Sequence, residues 1–483
     1  MQTFIIPKYE LKNRWDPYYN LPRFKDLYEK LQKCPHHLST LKQESSAIFS
    51  GTTPLSGGDA YTMHNGIPFI RSGDFSEDNI IDFSKVIRIK KEVHNGKMRS
   101  SQLRIGDVLI AIVGATIGKI GVYKYDSEAN INQAICSIRL KKLNPYYVQA
   151  FYQTNVGQLL IEHIKRPVAR ANINLEEVGG LPIPLVDTDL QQKIVDAQKS
   201  AFLDKQKKEE EAIKVLLSID EYLLSELGIE RPSPTRTEIG RFFYTSHKEV
   251  TGKRLDPVAY SEQTRNIKQA IVNGKYSCST LQSLIVHEAA GDWGVDVIDD
   301  YDSQTYSKCL VLRSTEFNLH HNIVIDNTKA KYRLISNKKL DYIDLQPNDL
   351  IIEKSGGSEN QPVGRVAIIT KDLFERDRLC YSNFVQKIRL DKNQVIPTYV
   401  CFFLRLVHNM KLTETMQSQT NGIRNLIMSE YYAQQIPLPP LEKQKEIITH
   451  IGTLYNRAKQ LQQEATDIMT NAKQQIEQMI LGE

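Results

Sequence analysis

The stretch Ile436-Pro437-Leu438-Pro439-Pro440-Leu441-Glu442-Lys443-Gln444 decides how this chain folds. Its prolines close one segment and start a helix with apolar residues at Ile447, Ile451, Leu454, Ala458, Leu461, Ala465, Ile468 and Ala472, a 4-3 spacing that lapses at Gln475. Such spacing is the seam of a coiled coil. From Leu441 to Gly482 the helix is about 60 Å long at about 1.5 Å per residue. One small domain cannot cover that length, so the seam requires a second helix.

That partner lies earlier in the chain. Pro182-Ile183-Pro184 answers to Pro437-Leu438-Pro439, and Leu227-Gly228 to Leu481-Gly482. The polar helix between carries Ile194, Ala197 and Ala201 at one end and Ala212, Leu216, Ile219 and Leu223 at the other. Asp204 to Glu211 is almost wholly charged, and this middle is expected to be solvated or covered by a partner. Helix-to-helix or partner contact is therefore assigned to Ile194, Leu216, Ile219, Leu223, Ile447, Ile451, Leu454, Leu461 and Ile468.

Further outward the correspondence continues in order. Arg14-Trp15-Asp16-Pro17 returns as Arg254-Leu255-Asp256-Pro257, Ser39-Thr40-Leu41 as Ser279-Thr280-Leu281, and Phe69-Ile70-Arg71-Ser72 as Val311-Leu312-Arg313-Ser314. Asp107-Val108-Leu109-Ile110 answers to Asp349-Leu350-Ile351-Ile352, Gly118-Lys119-Ile120 to Gly364-Arg365-Val366, and Ile138-Arg139-Leu140 to Ile388-Arg389-Leu390. Pro145-Tyr146-Tyr147-Val148 pairs with Pro397-Thr398-Tyr399-Val400. The offset drifts only from 240 to about 255, the mark of one unit written twice.

Apolar, β-branched runs bounded by Gly, Asn and Asp make each copy a mixed α/β (α+β) domain. The expected organisation is a first domain at 1–186, a spacer helix at 187–230, a second domain at 231–440 and a second spacer helix at 441–483. Pseudo-twofold symmetry makes the two helices antiparallel and brings Gly482 beside the start of the first copy. The copies share least between residues 50–130 and 290–380, a common frame carrying two private surfaces.

The 483 residues are 41% hydrophobic and 25% charged, which excludes a disordered chain. Lys and Arg total 62 against 57 Asp and Glu, so the net charge of +5 is too small to argue for nucleic acid. Six cysteines with no C-x-x-C pair exclude a zinc knuckle and a disulfide framework and fit a reducing cytoplasm. Met1 to Lys12 lacks the apolar h-region of a signal peptide. The run Val108 to Val113 is far short of the roughly 20 residues that span a bilayer, so no membrane is expected.

No catalytic set emerges. Gly114-Ala115-Thr116-Ile117-Gly118-Lys119-Ile120 has three residues between its glycines and an isoleucine after the lysine, where a P-loop needs four and a Ser or Thr. It remains either a plain turn or a loop displaying backbone amides and one cation to an anion. Asn144-Pro145-Tyr146-Tyr147 lacks the second proline of an amino-methyltransferase loop, and Glu353-Lys354 lacks the Glu-x-Lys spacing of a nuclease. The histidines show no metal-binding pairing, so neither a metal nor a catalytic residue is expected.

Positive charge gathers at Lys85, Arg88, Lys90, Lys91, Lys97, Arg99, Arg104, Lys119 and Lys124, against Asp82, Glu92 and Asp107. A charge run is commonly a solvated face, but loops of Arg, Lys, Asn, Gln and Ser also read phosphates and base edges. The candidate DNA-binding residues are Arg71, Ser72, Arg99, Arg104, Thr116 and Lys119 in the first copy. In the second they are Arg313, Ser314, Lys354, Ser358, Asn360, Gln361 and Arg365.

Taken together, Ile67-Pro68-Phe69-Ile70-Arg71-Ser72-Gly73-Asp74, Gly106-Asp107-Val108-Leu109-Ile110, Gly114 to Lys119 and Ile436 to Gln444 resemble the specificity subunits of type I DNA restriction-modification systems. The resemblance covers essentially the whole chain. It implies two target-recognition domains, each reading half of a split, asymmetric site in double-stranded DNA. Two antiparallel helices would set the half-site spacing and dock two methyltransferase (M) subunits, and restriction (R) subunits can join the complex. It also implies a role in phage defence with no catalysis in this chain, S-adenosylmethionine, ATP and magnesium belonging to the partners. Two departures stand out: Leu185 to Gln192 reads as two residues longer than the family's Pro-Leu-x-x-Gln opening, and Asn348-Asp349 replaces Gly-Asp. The alternatives are a specificity subunit of another modification or defence complex, and a coiled-coil scaffold whose repeated domains bind protein.

Overall fold

In the computed structural model the described residues are 14–482, apart from 56–57, 77, 79, 167–170, 233–243, 251–256, 319–321, 358–360 and 421. The repeated Arg254-Leu255-Asp256 therefore lies outside them. The chain divides into two compact units, Met1–Glu210 with Leu461–Glu483, and Glu211–Gln460.

In the first unit, β1 (Ser45–Ser50), β2 (Ile67–Ile70), β3 (Val108–Ala111), β4 (Ile120–Val122), β5 (Asn130–Ile131) and β6 (Ile135–Leu140) form two sheets. The first has the antiparallel order β1-β6-β3-β4. In the second, β2 runs parallel to β5. Strand β3 is buried at every residue, which is why its sequence shows no apolar–polar alternation. Val108 and Ile110 face α2 (Pro145–Gln153) and α3 (Asn155–Ile164), while Leu109 packs with Ile70, Tyr123 and Ile131 of the second layer. Before these elements stands α1 (Pro22–Gln32), and after them the long helix α4 (Thr188–Leu227).

The second unit repeats this plan. It contains α5 (Glu262–Val272), β7 (Ile285–Ala290), β8 (Tyr306–Leu312), β9 (Leu350–Glu353), β10 (Val366–Ile368), β11 (Leu379–Tyr381), β12 (Val385–Leu390) and α6 (Pro397–Asn409). The long helix α7 (Leu441–Leu481) begins in this unit and belongs to the first from Leu461, as α4 belongs to the second from Glu211. The sheet order is β7-β12-β9-β10, and β8 runs parallel to β11. A buried carboxylate ties each sheet in the same way. Asp107 takes two hydrogen bonds from Arg139 at 2.9 and 2.7 Å, and Asp349 takes two from Arg389 at 2.8 and 2.9 Å. Just before these acids the chain turns through the left-handed region at Gly106 (φ 87°) and at Asn348 (φ 73°). Asparagine enters that region more readily than other side-chain-bearing residues, so the missing glycine leaves the turn intact.

Register corrects one sequence alignment. Leu38–Thr40 pairs with Pro182–Pro184, and Cys278–Thr280 with Gln435–Pro437. Pro184 thus answers to Pro437, not Pro439, and the first copy has no two-residue extension. Tyr147 donates to the Pro184 carbonyl at 2.6 Å as Tyr399 does to Pro437 at 2.9 Å. Gln191 donates to the Val186 carbonyl and accepts from the Asn144 amide; Gln444 does the same with Pro439 and Ile396. Where the second copy starts its helix with prolines, the first uses Asp187, whose carboxylate accepts from the Leu190 amide at 2.8 Å.

The long helices run antiparallel where they meet within each unit. In the first, Ile194 shares a core with Ile476 and Ile480, and Lys208 pairs with Glu464 at 2.7 Å. The Ile480 carbonyl accepts from Cys34 at 3.2 Å, so the end of α7 sits against the first copy, as the symmetry argument requires. In the second unit Glu226 pairs with Lys443, the Tyr222 and His450 rings lie 4.0 Å apart, and the Lys275 amide donates to the Leu227 carbonyl at the end of α4.

Two seam expectations change. Burial in α7 does not lapse at Gln475: it continues at Ile476 and Ile480, where the spacing shifts to four and the helix packs on the first domain's core. Nor is the middle of α4 merely solvated. Lys205 and Lys208 continue the seam rhythm between Ala201 and Ala212, their stems half-buried and their ammonium groups on Asp78, Glu209 and Glu464.

One buried imidazole makes stability depend on pH. His163 lies against Tyr19, Phe24 and Tyr28, with Nε2 3.0 Å from the Tyr19 carbonyl and Nδ1 3.2 Å from the Tyr28 hydroxyl. This arrangement suits the neutral ring with Nε2 protonated. Burial pushes its pKa down to about 4. Between about 4 and 6.5 the unfolded state binds the proton and the folded state does not, so stability is full above 6.5 and falls by about 1.4 kcal/mol per pH unit below it. Thermal denaturation between pH 7 and 5 should show this loss, and His163→Gln should make the slope shallower, leaving the part due to His408, whose pKa burial also lowers to about 4. An unchanged slope in the variant would remove His163 as the cause.

Candidate nucleic-acid interface

Strand β2 ends at buried Ile70, and the chain turns at once into a single 3-10 turn, Ser72–Asp74. Arg71 closes the turn on itself. Its amide and Nε donate to Asp74 Oδ2 at 2.8 and 3.3 Å, and Nη2 reaches Asp74 Oδ1 at 3.0 Å and the Lys85 carbonyl at 3.5 Å. The second copy rebuilds this after β8. Arg313 donates through its amide and guanidinium to Glu316 and through Nη2 to the Lys329 carbonyl at 3.2 Å.

A second cation grips each turn from the neighbouring hairpin. Lys119 Nζ donates to the carbonyls of Phe75 at 3.1 Å and Ser76 at 3.2 Å. Arg365 donates to the carbonyls of Phe317 at 2.8 Å and Ser314 at 2.9 Å, and its other bonds reach the Glu353 carboxylate at 2.8 and 2.9 Å. The Arg365 side chain is 7% exposed and Glu353 1%. This corrects the expectation for Arg365: its guanidinium is inside the fold, spent on that carboxylate and those carbonyls. Arg71, Lys119 and Arg313 are half-buried and engaged in the same loops.

The remaining candidates fall into two groups. Ser72, Thr116, Ser314, Lys354 and Gln361 are half-exposed on loops near the clamps, at the carboxyl ends of β3 and β9 or their neighbours. Arg99 and Arg104 are exposed, with no side-chain ion pair among the described residues. Arg104 precedes β3, whereas Gly114 to Lys119 follows it; four residues of strand separate them by about 13 Å. Ser358 and Asn360 lie outside the described residues.

The structure adds a hairpin that the sequence reading passed over. Strands β13 (Gln417–Thr420) and β14 (Ile423–Leu426) pair antiparallel, and β14 also pairs with Ser355–Gly356. Ser355 donates to Asn425 at 2.7 Å, and Gln417 accepts from the Val363 amide at 3.3 Å. Arg424 is half-exposed beside them, with no side-chain partner among the described residues. The first copy shows a counterpart in bridges from Asn172 to Val113 and to Arg166. The available signal was Asn421-Gly422, a hairpin dipeptide between strand-length polar runs. A two-stranded ribbon of this kind fits a major groove about 12 Å wide.

Chemically these loops offer donors and acceptors rather than a reaction centre. Among the described residues no group of three or more His, Cys, Asp or Glu is placed to hold a metal. Burial pushes the Cys136 and Cys380 thiols up to about 12, away from nucleophilic use. No helix of the described residues is long and apolar enough to cross a membrane.

A family model described as the type I restriction modification DNA specificity domain matches residues 46–215 and again 302–478. The specificity subunit of the type I restriction enzyme EcoBI from Escherichia coli is 30% identical over 142 residues, which are 29% of this chain and 29% of that protein. A chain from a solved structure concerning assembly and conformational transition of the type I R-M system is 13% identical, with a TM-score of 0.49, over 92% of this chain and 97% of that one. The HsdS subunit from Thermoanaerobacter tengcongensis is 13% identical, with a TM-score of 0.37, over 92% and 96%.

Proposed function

The chain belongs to the family of type I restriction modification DNA specificity domains, and on that premise we propose that it is the non-catalytic, sequence-reading subunit of a DNA modification complex. The observation that carries this is the placement of the family match, once on each copy of the duplicated domain. Each copy reads one half of a two-part site in double-stranded DNA through the polar loops that leave β2 and β3, or β8 and β9, and the adjoining hairpin. Because the loops differ in sequence while the frame repeats, the two halves of the site differ too. Two readers are needed: a good bidentate base contact discriminates by about 1–3 kcal/mol, too little for one small domain to select a genomic site.

Transfer of the methyl group falls to two M subunits docked on the helices, and cleavage to R subunits where these join. S-adenosylmethionine, ATP and magnesium act in those partners. The test is co-expression with a cognate N6-adenine methyltransferase followed by mapping of methylated adenines in the host genome. A gapped, two-part motif is the expected result. Unaltered methylation in the presence of the cognate partner would refute the reading.

A further inference from the structure

We infer that Lys119 and Arg365 are positioning residues: each sets the shape of its own domain's recognition loop through main-chain carbonyls and thereby governs selectivity for one half-site. The inference rests on the DNA-reading function proposed above. It reverses the role that charge alone suggested for these two side chains.

Three observations converge. The first is equivalence: both cations follow a glycine in the left-handed region, Gly118 (φ 92°) and Gly364 (φ 101°), and both enter a short antiparallel strand, β4 or β10. The backbone turn aims each of them at the neighbouring loop. The second is the target: Lys119 holds Phe75 and Ser76, and Arg365 holds Phe317 and Ser314, at the base of the loops that leave β2 and β8. Arg71 and Arg313 close the same loops from within, so each loop is fixed on two sides. The third is contrast: the hold on the Phe75 or Phe317 carbonyl recurs although the turn just before it changes from Ser72-Gly73-Asp74 to Ser314-Thr315-Glu316. A constant hold under a varied surface is what a domain needs when one frame presents different recognition groups.

The two grips differ in strength of definition. A lysine offers a compact charge on a flexible stem, and in the first copy Ala111 stands where the second has Glu353. Arg365 is a planar fork that donates to the carbonyls through Nη1 and Nη2 and to that buried glutamate through Nε and Nη2. The second copy's loop is therefore the more rigidly set, and an exchange of chemistry between the copies becomes a test.

The experiment uses the full chain with its cognate methyltransferase subunits and reads the methylated-adenine motif across the host genome. Lys119→Met keeps the stem and removes the donor. It is expected to raise methylation about tenfold at sites altered in the first domain's half, with the other half read as before. In the second domain, Glu353→Ala with Arg365→Met removes the donor without stranding a buried carboxylate, and should relax only the second half. Glu353→Ala with Arg365→Lys recreates the first copy's chemistry and should restore selectivity.

If the donor-less variants keep the wild-type motif, or lose methylation evenly at all sites without any change in motif, the grips are merely structural and the inference is overturned. Failure of the lysine replacement to rescue would also overturn it. A wild-type protein that yields no two-part motif would instead refute the DNA-reading function itself, so the two failures are distinguishable.

Discussion

Arg365→Met alone is expected to destabilise the second unit by about 3–5 kcal/mol, because it strands a buried carboxylate. Glu353 is 1% exposed and takes two charge-assisted hydrogen bonds from the guanidinium. Without them the carboxylate is left buried and unpaired. His408, also in this unit, already has its pKa lowered to about 4 by burial and then by the charge of Arg365, so removing the arginine should also ease its protonation. The chain supplies a local reporter, since Trp293 packs in the second unit and the other tryptophan, Trp15, lies in the first. In a Trp15→Phe background, the urea midpoint followed through Trp293 should drop sharply for Arg365→Met. It should recover substantially when Glu353→Ala is added. A double variant as unstable as the single one would show that the arginine acts by packing, not by neutralising Glu353.

Ile451→Asp is the second large effect. Ile451 is fully buried in a core that joins α7 to Ile219, Leu223 and Tyr399. Truncating such a residue to alanine already costs about 2–5 kcal/mol, and a carboxylate adds desolvation. Leu454, assigned to the same seam from its spacing, is only half-buried against that core. Leu454→Asp should therefore cost less than half as much in thermal or urea denaturation. Because Ile451 lies in the second unit's core, Ile451→Asp should also depress methylation by the full chain with its cognate methyltransferase. Equal destabilisation by the two variants would contradict the burial difference.

Much of the fold was legible because it is periodic or repeated. The duplication, the mixed α/β class and the helical seam follow from spacings that the chain displays directly, and the left-handed turns at Gly106 and Gly118 are marked by their glycines. Lys205 and Lys208 hid part of the seam because a lysine's apolar stem packs while its charge reads as solvated. Ile476 was missed because the spacing changes where α7 leaves its partner helix for a domain core. The alignment slip at Pro182 arose because Pro-x-Pro recurs two residues apart, and only the pairing of Leu38 with Pro184 and Cys278 with Pro437 resolves it.

The candidate site was less legible. Composition and spacing by themselves determined that one unit is used twice, that its two helices pair, and that polar, cation-bearing loops follow equivalent strands. Tertiary structure alone decided which of those cations are available. Arg99 and Arg104 stay exposed, while Arg365 turns inward onto Glu353 and the carbonyls of Ser314 and Phe317. The reason is that an arginine's direction is set by what accepts its hydrogen bonds. Those acceptors, a glutamate twelve residues earlier and carbonyls about fifty residues earlier, become its neighbours only when the sheets close.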